Sequence, residues 1–385
     1  MSATIPVLVR VAGNEPIAIA IAAALDEPIV PRVDDAAGTE LVILSSDLIW
    51  LAAASRPRSP SSAHASNHVI ASRTLRFQRR FSSIGPRIGA MTDRLRVLEP
   101  GPGILAFYDG RIEGYRFDPK PNWVDDGALG LGIASFAILD GDEALVYDTG
   151  TTLEDGGLIR EELRRRGADR ITVVLSHWHL DHVAGTEAFA DSPVLSGEHT
   201  AEHLRAKRQA IEAGTLEGPP AIAPLIPPTR TFAGRETLTV GDTAVELIPV
   251  NIHSDDATVL WLPERRLLFC GDTMEDTITY IGEPEALDAH LRDLERLAEL
   301  EPARILPSHG APDRIAGGGY PADLNDATRS YIRLLQRMPS EPELRDVPLR
   351  ELIADSLESG TLIYFEPYER VHRHNVESVL SVTGS

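Results

Sequence analysis

Short apolar segments, separated by turn-forming residues, recur along the chain from about residue 95 onward. The segments 104–108, 133–139 and 143–147 have the length and apolar content of buried strands. A second set of strand-like segments follows further along the chain: 238–240, 244–249, 258–262 and 266–269. The pattern therefore predicts two groups of strands in this part of the chain.

Helical segments lie between and after these strands. The predicted helices are 155–166, 199–212, 284–299, 322–338, 347–358 and 367–380. Two groups of strands with flanking helices indicate an α+β fold, a four-layer αββα sandwich. Residues 214–230 contain five prolines and are predicted to be a long loop, of the kind that forms a lid or a pocket wall beside a site.

The first 90 residues differ in character from the rest of the chain. Their apolar stretches suit short strands or a helix, whereas residues 55–73 are rich in Ser, Pro, Ala and Arg, as linkers and disordered segments are. We predict that residues 1–90 are an N-terminal extension, partly disordered or loosely packed, and that 91–385 form a catalytic domain with C-terminal helices. The sequence from Met91 onward resembles an ordinary start for such a domain. We therefore hypothesise that residues 1–90 are an appendage that depends on the choice of start codon.

The charge of the chain bears on its partners. It has 37 basic and 58 acidic residues and a formal net charge of −21, which argues against nucleic acid or another polyanion as a partner of its surface. Residues 48–90 are the exception, with seven Arg and no acidic residue. Within it, Arg73 to Arg87 is basic with Phe77 and Phe81 interleaved, and suits either an anionic partner or, as we favour, a solvated arm.

Two further features of composition bear on location. Cys270 is the single cysteine, lies in an apolar segment and is expected to be a small buried residue. A chain without disulfides fits a reducing cytoplasm. No apolar run approaches the roughly 18 residues that span a bilayer, so we expect a cytoplasmic protein without a membrane segment.

The densest chemistry lies directly after the apolar run 171–175, in the sequence Ser-His-Trp-His-Leu-Asp-His. It places His177, His179, Asp181 and His182 within six residues, although the whole chain has only 12 His. Side chains two apart in an extended segment face the same way, so the first two histidines can reach one ion together. Imidazole and carboxylate ligands in such a mixed set suit zinc and iron. The spacing predicts a metal site at a strand end.

His-x-His-x-Asp-His after a buried strand resembles the signature of the metallo-β-lactamase superfamily. The other parts of that pattern are present in order over roughly residues 95–315. They are an acidic residue at the end of an earlier strand, a later histidine in a loop, a Gly-Asp pair after a strand and a last histidine: Asp148, His253, Gly271-Asp272 and His309. The resemblance implies the αββα fold.

The resemblance also implies two divalent metal ions, zinc first and iron or manganese as alternatives. One ion would be held by His177, His179 and His253, and the second by Asp181, His182 and His309. Asp272 would bridge the two ions, and Asp148 would orient the site from outside. β-Lactamases of one branch have Cys at the position that Asp272 occupies here. The cysteine of this chain, Cys270, lies two residues earlier, so β-lactam specificity is not implied.

The function implied is a hydrolase that uses a metal-bound hydroxide on a small ester, thioester, lactone or amide. Asp181 would orient the nucleophile and move a proton to the leaving group. The alternatives are a persulfide dioxygenase with one iron and a phosphodiesterase or nuclease of the same superfamily. The candidates for the oxyanion site and the pocket walls are Tyr280, Met274, Trp178 and Trp123.

The remaining histidines of interest lie on predicted helices. His199 and His203 are four residues apart and could share a helix face, but no acidic motif surrounds them, so we interpret them as surface residues. His372 and His374 are interpreted as structural. The expected partner is a small-molecule substrate, and the sequence leaves the oligomeric state open.

Overall fold

The structure is a computed structural model that describes residues 5–10, 16–21, 89–90 and 94–383. The chain divides into two compact units, Met1–Arg79 and Arg80–Ser385. In the first unit, strand β1 (Ile5–Arg10) pairs antiparallel with β2 (Pro16–Ile21). The predicted linker 55–73 and most of the Arg-rich segment lie outside the described residues.

The second unit contains two sheets and the helices around them. Its strands are β3 (Gly89–Ala90), β4 (Arg96–Gly101), β5 (Ile104–Asp109), β6 (Ile133–Asp140), β7 (Glu143–Tyr147), β8 (Arg170–Val174), β9 (Val194–Gly197), β10 (Arg230–Phe232), β11 (Glu236–Val240), β12 (Thr243–Pro249), β13 (Thr258–Leu262), β14 (Leu267–Gly271) and β15 (Arg304–Pro307). Its α-helices are α1 (Leu153–Arg165), α2 (Leu180–Val183), α3 (Glu198–Glu212), α4 (Leu287–Ala298), α5 (Pro312–Ala316), α6 (Asp323–Arg337), α7 (Leu349–Leu352), α8 (Ala354–Glu358) and α9 (Tyr368–Thr383).

Among the described residues, the larger sheet has eight strands in the order β10-β9-β8-β7-β6-β5-β4-β3. Strands β7 to β10 run parallel to one another, whereas β3 to β7 are antiparallel. The smaller sheet has the order β11-β12-β13-β14-β15, and its last pair is parallel. Parallel neighbours place their carboxyl ends at one edge, where ligands commonly bind in α/β sheets.

Three apolar cores show how the layers are stacked. One core lies between the two sheets and includes Phe136 of β6 and Phe269 of β14, whose rings meet edge to face with centroids 5.3 Å apart. A second core joins the other face of the larger sheet to α1 and α3, and a third joins the smaller sheet to α4, α6 and α9. The predicted four-layer αββα sandwich is confirmed.

The apolar runs that predicted the strands arise from this stacking. In β14, Leu267 and Phe269 face the core between the sheets, while Leu268 and Cys270 face the helices. Strands that are buried on both faces carry near-continuous apolar runs instead of an alternating pattern. Cys270 is fully buried, as predicted, and burial raises the pKa of its thiol.

The structure differs from the sequence prediction in some elements. Predicted helix 347–358 is two short helices, α7 and α8, separated at Ile353. Predicted helix 284–299 begins as a 3-10 turn at Pro284–Ala286 before α4 starts. Strand β9 and a π-helical turn at Val124–Leu129 were not predicted. These elements are short, so they carry too few residues for a periodic signal.

No helix in the described part of the chain is both long enough and apolar enough to cross a bilayer.

Candidate metal centre

The histidine-rich segment lies at the carboxyl ends of the central strands, at one edge of the sandwich. Strand β8 ends at Val174, His177 follows in the connecting segment, and His179 caps α2 in extended backbone. The short helix α2 then carries Asp181 and His182. This change from strand to helix directs all four side chains toward one region, as the sequence predicts.

Close backbone packing fixes the position of α2. The backbones of Gly156 in α1 and Gly185 after α2 are in contact, and a Cβ atom on Gly156 would lie 2.3 Å from the carbonyl oxygen of Gly185. The amide of Thr149 donates to the carbonyl oxygen of His182 at 2.8 Å. The two glycines therefore let α1 approach the end of the metal-binding motif, and a larger residue at either position would displace it.

The first donor group contains His177, His179, His253 and Asp272, whose ligand-type atoms lie within 4.8 Å of one another. His179 Nδ1 is 3.0 Å from His253 Nε2. Asp272 Oδ2 lies 3.7 Å from the Nε2 atoms of both His177 and His253. This spacing between donor atoms suits a shared cation with ligand bonds of about 2.0–2.2 Å.

The second donor group contains Asp181, His182 and His309, again with donor atoms within 4.8 Å of one another. Asp272 Oδ2 is 3.1 Å from His182 Nε2 and 3.2 Å from His309 Nε2. Asp272 therefore lies between the two groups. The structure brings together all seven residues that the sequence nominated as ligands.

Outer hydrogen bonds turn most of the rings toward the centre. His182 Nδ1 is 2.8 Å from Asp148 Oδ2, His309 Nδ1 is 2.7 Å from the carbonyl oxygen of Gly132, and His253 Nδ1 is 3.1 Å from that of Tyr280. Because carboxylate and carbonyl oxygens only accept, each Nδ1 donates, and each Nε2 is left to face inward. Such partners orient metal-binding histidines.

The inward-facing atoms fit divalent cations. His177 Nε2 and Asp272 Oδ1 are buried and have no hydrogen-bond partner. The Nε2 atoms of His182 and His309 both face the same oxygen of Asp272. Without protons or a cation between them, these nitrogens and the oxygen would all be acceptors and would repel one another. Imidazole and carboxylate donors together suit zinc or iron. The cluster thus implies divalent metal binding.

Electrostatics separate the two donor groups. Burial, together with the neighbouring rings, lowers the pKa of His179 to about 3 and also lowers the pKa of His177 and His253. Burial opposes charge on His182 and His309 as well, yet the nearby carboxylates, Asp272 first, raise the pKa of both well above the ordinary value. The second group therefore favours local positive charge, which a cation would supply.

A cavity of about 510 Å³ opens over these donors, within the size range of small-molecule sites. The predicted loop after α3 contributes Glu217 to it, which confirms that this loop forms a pocket wall. The described residues that line the cavity are Pro121, Asn122, Trp123, Gly127, Leu131, His179, Leu180, Asp181, Glu217, His253, Asp272, Glu275, Tyr280, His309, Arg370, Val371 and His374.

Comparison with known proteins agrees with this geometry. Residues 128–309, which include the whole donor cluster, match the family model of the "Metallo-beta-lactamase superfamily". This part of the chain is a metallo-β-lactamase superfamily domain. Together with the His/Asp cluster, the match implies a site for divalent metal ions.

Individual relatives match part of this chain. A "Beta-lactamase-like protein 2 homolog" from Drosophila melanogaster is 25% identical over 186 residues, covering 46% of this chain and 59% of its own length. A "Linear primary-alkylsulfatase" from Pseudomonas sp. is 25% identical over 213 residues, covering 44% of this chain and 39% of its own length. The chain thus spans less than two thirds of the length of either relative. The solved structure of DIM-1 metallo-beta-lactamase is 19% identical, with a TM-score of 0.47, and covers 64% of this chain and 99% of its own.

The structure corrects three interpretations of individual residues. Met274 is fully buried in the core behind the smaller sheet and does not line the cavity. Trp178 also lies off the cavity, with its ring near His203 and under the ammonium group of Lys207. His374, interpreted as structural, lines the cavity and stacks on Tyr280 with ring centroids 5.0 Å apart.

Other residues that the sequence singled out lie in the cavity lining or in the core. Trp123 and Tyr280 line the cavity, and His372 is buried with its Nδ1 3.0 Å from the hydroxyl of Tyr331. Glu275, which the sequence did not single out, also lines the cavity. Its carboxyl is buried beside His309 and Asp272, and burial raises its pKa to about 8. It lies three residues beyond Asp272 in a segment without a recognisable spacing.

Asp148 provides a direct test of outer-sphere orientation. Its carboxylate accepts from the Ser176 amide at 2.7 Å and from His182 Nδ1, and its backbone is left-handed with φ 65°. Asn tolerates that backbone, so Asp148→Asn is expected to fold but to weaken the hold on the His182 ring. We expect metal affinity and kcat/KM to fall about 10–100-fold, measured by metal-buffer titration and kinetics.

Asp109→Asn is the matched control for Asp148→Asn. Asp109 is another buried carboxylate at a strand end, but it pairs with Arg94 and is not part of the donor cluster. It should alter thermal stability and leave metal affinity unchanged. If both variants bind metal like the native protein, Asp148 does not orient the site.

Proposed function

We propose that this protein is a hydrolase with two divalent metal ions, zinc in the first place, that cleaves a small ester, thioester, lactone or amide. The observation that carries the proposal is the set of seven clustered donors, five of which line the cavity. Divalent ions held in such a set lower the pKa of water and polarise a carbonyl group. His177, His179 and His253 would hold one ion, and Asp181, His182 and His309 the other, with Asp272 between them.

Asp181 is the residue that we assign to proton movement. Its side chain lines the cavity and is 17% exposed, unlike the almost fully buried Asp272. Asp181 Oδ2 lies 3.5 Å from His309 Nε2, while Oδ1 lies 3.7 Å from His182 Nε2. A carboxylate anchored on one side and open to the cavity on the other can orient a water molecule and hold its proton.

Tyr280 is the candidate donor to the oxygen on which charge develops. Its ring lies beside the His253 ring, with centroids 5.5 Å apart, and its hydroxyl is 3.1 Å from His374 Nε2. A hydroxyl that accepts from His374 keeps its own proton for a substrate oxygen in the cavity. A donor aimed at a developing oxyanion is among the larger single contributions to catalysis.

The cavity walls favour a small, partly apolar acyl group. Trp123, Leu131 and Val371 supply apolar surface, and Arg370 adds a positive charge to the lining. The overall charge of −21 argues against a nucleic acid substrate. The expected partner is therefore a small molecule, and the cytoplasm stays our prediction for its location.

A substrate screen with metal analysis tests the proposal. Protein loaded with zinc would be assayed against matched esters, thioesters, lactones, amides, phosphodiesters and an alkyl sulfate, the last because one relative bears that name. We expect turnover of the carbonyl substrates first. Turnover of phosphodiesters alone would favour the nuclease alternative. If the protein held one iron per chain and consumed oxygen when given a persulfide substrate, the dioxygenase alternative would be correct and the hydrolase proposal wrong.

Arg370 gives a prediction about substrate choice. Since its side chain lines the cavity, Arg370→Gln should raise KM for substrates with an anionic group several-fold and leave neutral substrates nearly unchanged. The charge-assisted bond that it can form contributes about 1.5–3 kcal/mol. Arg373→Gln, a neighbouring exposed arginine of α9 that is not among the lining residues, is the control. Equal KM changes for anionic and neutral substrates would contradict the assignment.

A further inference from the structure

A second cluster of metal-ligand side chains lies outside the catalytic cavity, where α3 faces the loop after His253. His199 and His203 are four residues apart on α3, and Asp255 lies opposite them. His203 Nε2 is 2.7 Å from Asp255 Oδ1, and His199 Nδ1 is 3.6 Å from Asp255 Oδ2. Each imidazole therefore faces a different oxygen of one carboxylate. We call His199, His203 and Asp255 the outer cluster.

The surroundings of the outer cluster are acidic. Donor atoms of Asp256 lie within 4.8 Å of those of His203 and Asp255. Glu283 Oε2 is buried and has no hydrogen-bond partner. Glu198 and Asp293 line an adjoining cavity of about 250 Å³.

Lys207 is a basic residue close to this region, and its ammonium group is oriented elsewhere. Lys207 occupies the next turn of α3, with its ammonium group 4.3 Å above the centre of the Trp178 ring. That contact is a cation–π interaction with the aromatic face. Lys207 thus does not take the position between the two histidines and the carboxylate.

We propose that the outer cluster binds a divalent transition-metal ion, separate from the catalytic pair. Two histidines at i and i+4 share one face of a helix and can present two nitrogens to one ion. Imidazole nitrogens with a carboxylate suit zinc, nickel and copper, and affinity rises toward copper. His199 is the more exposed of the two histidines, so its ring is free to reorient toward an ion that His203 and Asp255 already hold.

Such an ion would join the outer surface to the catalytic centre. Asp255 lies two residues after His253, so the ion would tie the ligand-bearing loop to α3. The ring of His203 also lies near that of Trp178, with centroids 5.9 Å apart, and the Trp178 amide donates to Asp256 Oδ2 at 2.9 Å. Trp178 stands between His177 and His179. The outer ion is therefore expected to stabilise the loop positions of three catalytic histidines.

Metal stoichiometry tests the proposal. Purified full-length protein, first saturated with zinc at its catalytic centre, would be titrated with further Zn²⁺ by calorimetry and with Cu²⁺ by electron paramagnetic resonance. The double variant His199→Ala/His203→Ala is expected to bind one equivalent less than the native protein. The Cu²⁺ spectrum of the native protein should show coupling to two nitrogens at this site, and the variant should lose it. Lys207→Ala, on the same helix, keeps all three donors and should keep the equivalent.

The result does not depend on how many ions the catalytic centre holds, because native and variant proteins share that centre and are compared with each other. Equal stoichiometry in the native and double-variant proteins would overturn the proposal and leave His203 and Asp255 as an ion pair only. A double variant that melts at a lower temperature but binds as many metal ions as the native protein would also overturn the proposal. His203→Gln, which is close in size, tests the assignment if the double variant fails to fold: retention of the equivalent would contradict it.

Discussion

Asp272→Ala is expected to abolish nearly all turnover and to loosen both metal positions at once. Asp272 Oδ2 lies 3.1–3.7 Å from the Nε2 atoms of His177, His182, His253 and His309, so no other carboxylate in the cluster reaches both donor groups in this way. Without it, two of these rings lose the negative charge that holds their pKa high. We expect a loss in kcat/KM well beyond the roughly 10–100-fold typical of an outer-sphere partner.

Cys270→Ser is the matched comparison for Asp272→Ala, since the two residues are two positions apart. Cys270 faces the helices behind the smaller sheet, and its thiol donates to the Met274 carbonyl oxygen at 3.4 Å. Its replacement should cost some stability and leave metal content intact. Metal per chain would be measured by mass spectrometry after gel filtration. The opposite ranking, with Cys270→Ser losing more metal, would show that the thiol is the ligand.

His179→Ala is expected to remove or weaken one metal ion and to lower turnover by orders of magnitude while the fold persists. His179 lines the cavity, with Nδ1 3.0 Å from His253 Nε2. It is half-buried, whereas the strand residues before it are core residues, so its truncation leaves no large cavity in the core. Metal content and kcat/KM would be measured together with a circular dichroism melt.

His374→Ala controls for the loss of an imidazole from the same cavity. His374 contacts Tyr280 and is not part of either donor group. It should keep the full metal content and change mainly kcat, through the position of the Tyr280 hydroxyl. If His179→Ala retained native metal content and rate, the proposed assignment of the first metal position would be wrong.

The strands could be predicted from the sequence because most are buried on both faces. In β7 and β14, residues alternate between two apolar cores, which leaves a continuous apolar run. The short strand β9 and the division between α7 and α8 could not be predicted, since each spans too few residues. Local pattern therefore determines the long, doubly buried elements better than the short ones.

The sequence also determined which side chains form the metal cluster. His177, His179, Asp181 and His182 are adjacent in the chain, so the strand-to-helix change alone directs them together. Of the distant members, His253 and Asp272 follow segments that the pattern predicts to be buried strands, and His309 follows strand β15. Strand ends meet at one edge of a sheet, which turns positions in the sequence into neighbours in space.

Only the tertiary structure decided what surrounds that cluster. Arg370 and His374 lie in α9, more than sixty residues beyond His309, and reach the cavity because α9 packs on the core behind the smaller sheet. The pairing of His203 with Asp255 likewise joins a helix to a loop about fifty residues away. A helical period shows which face of a helix is apolar, but it does not show which distant residue lies opposite the polar face. Local chemistry thus fixed the donors, and long-range packing selected the walls of the cavity and the outer cluster.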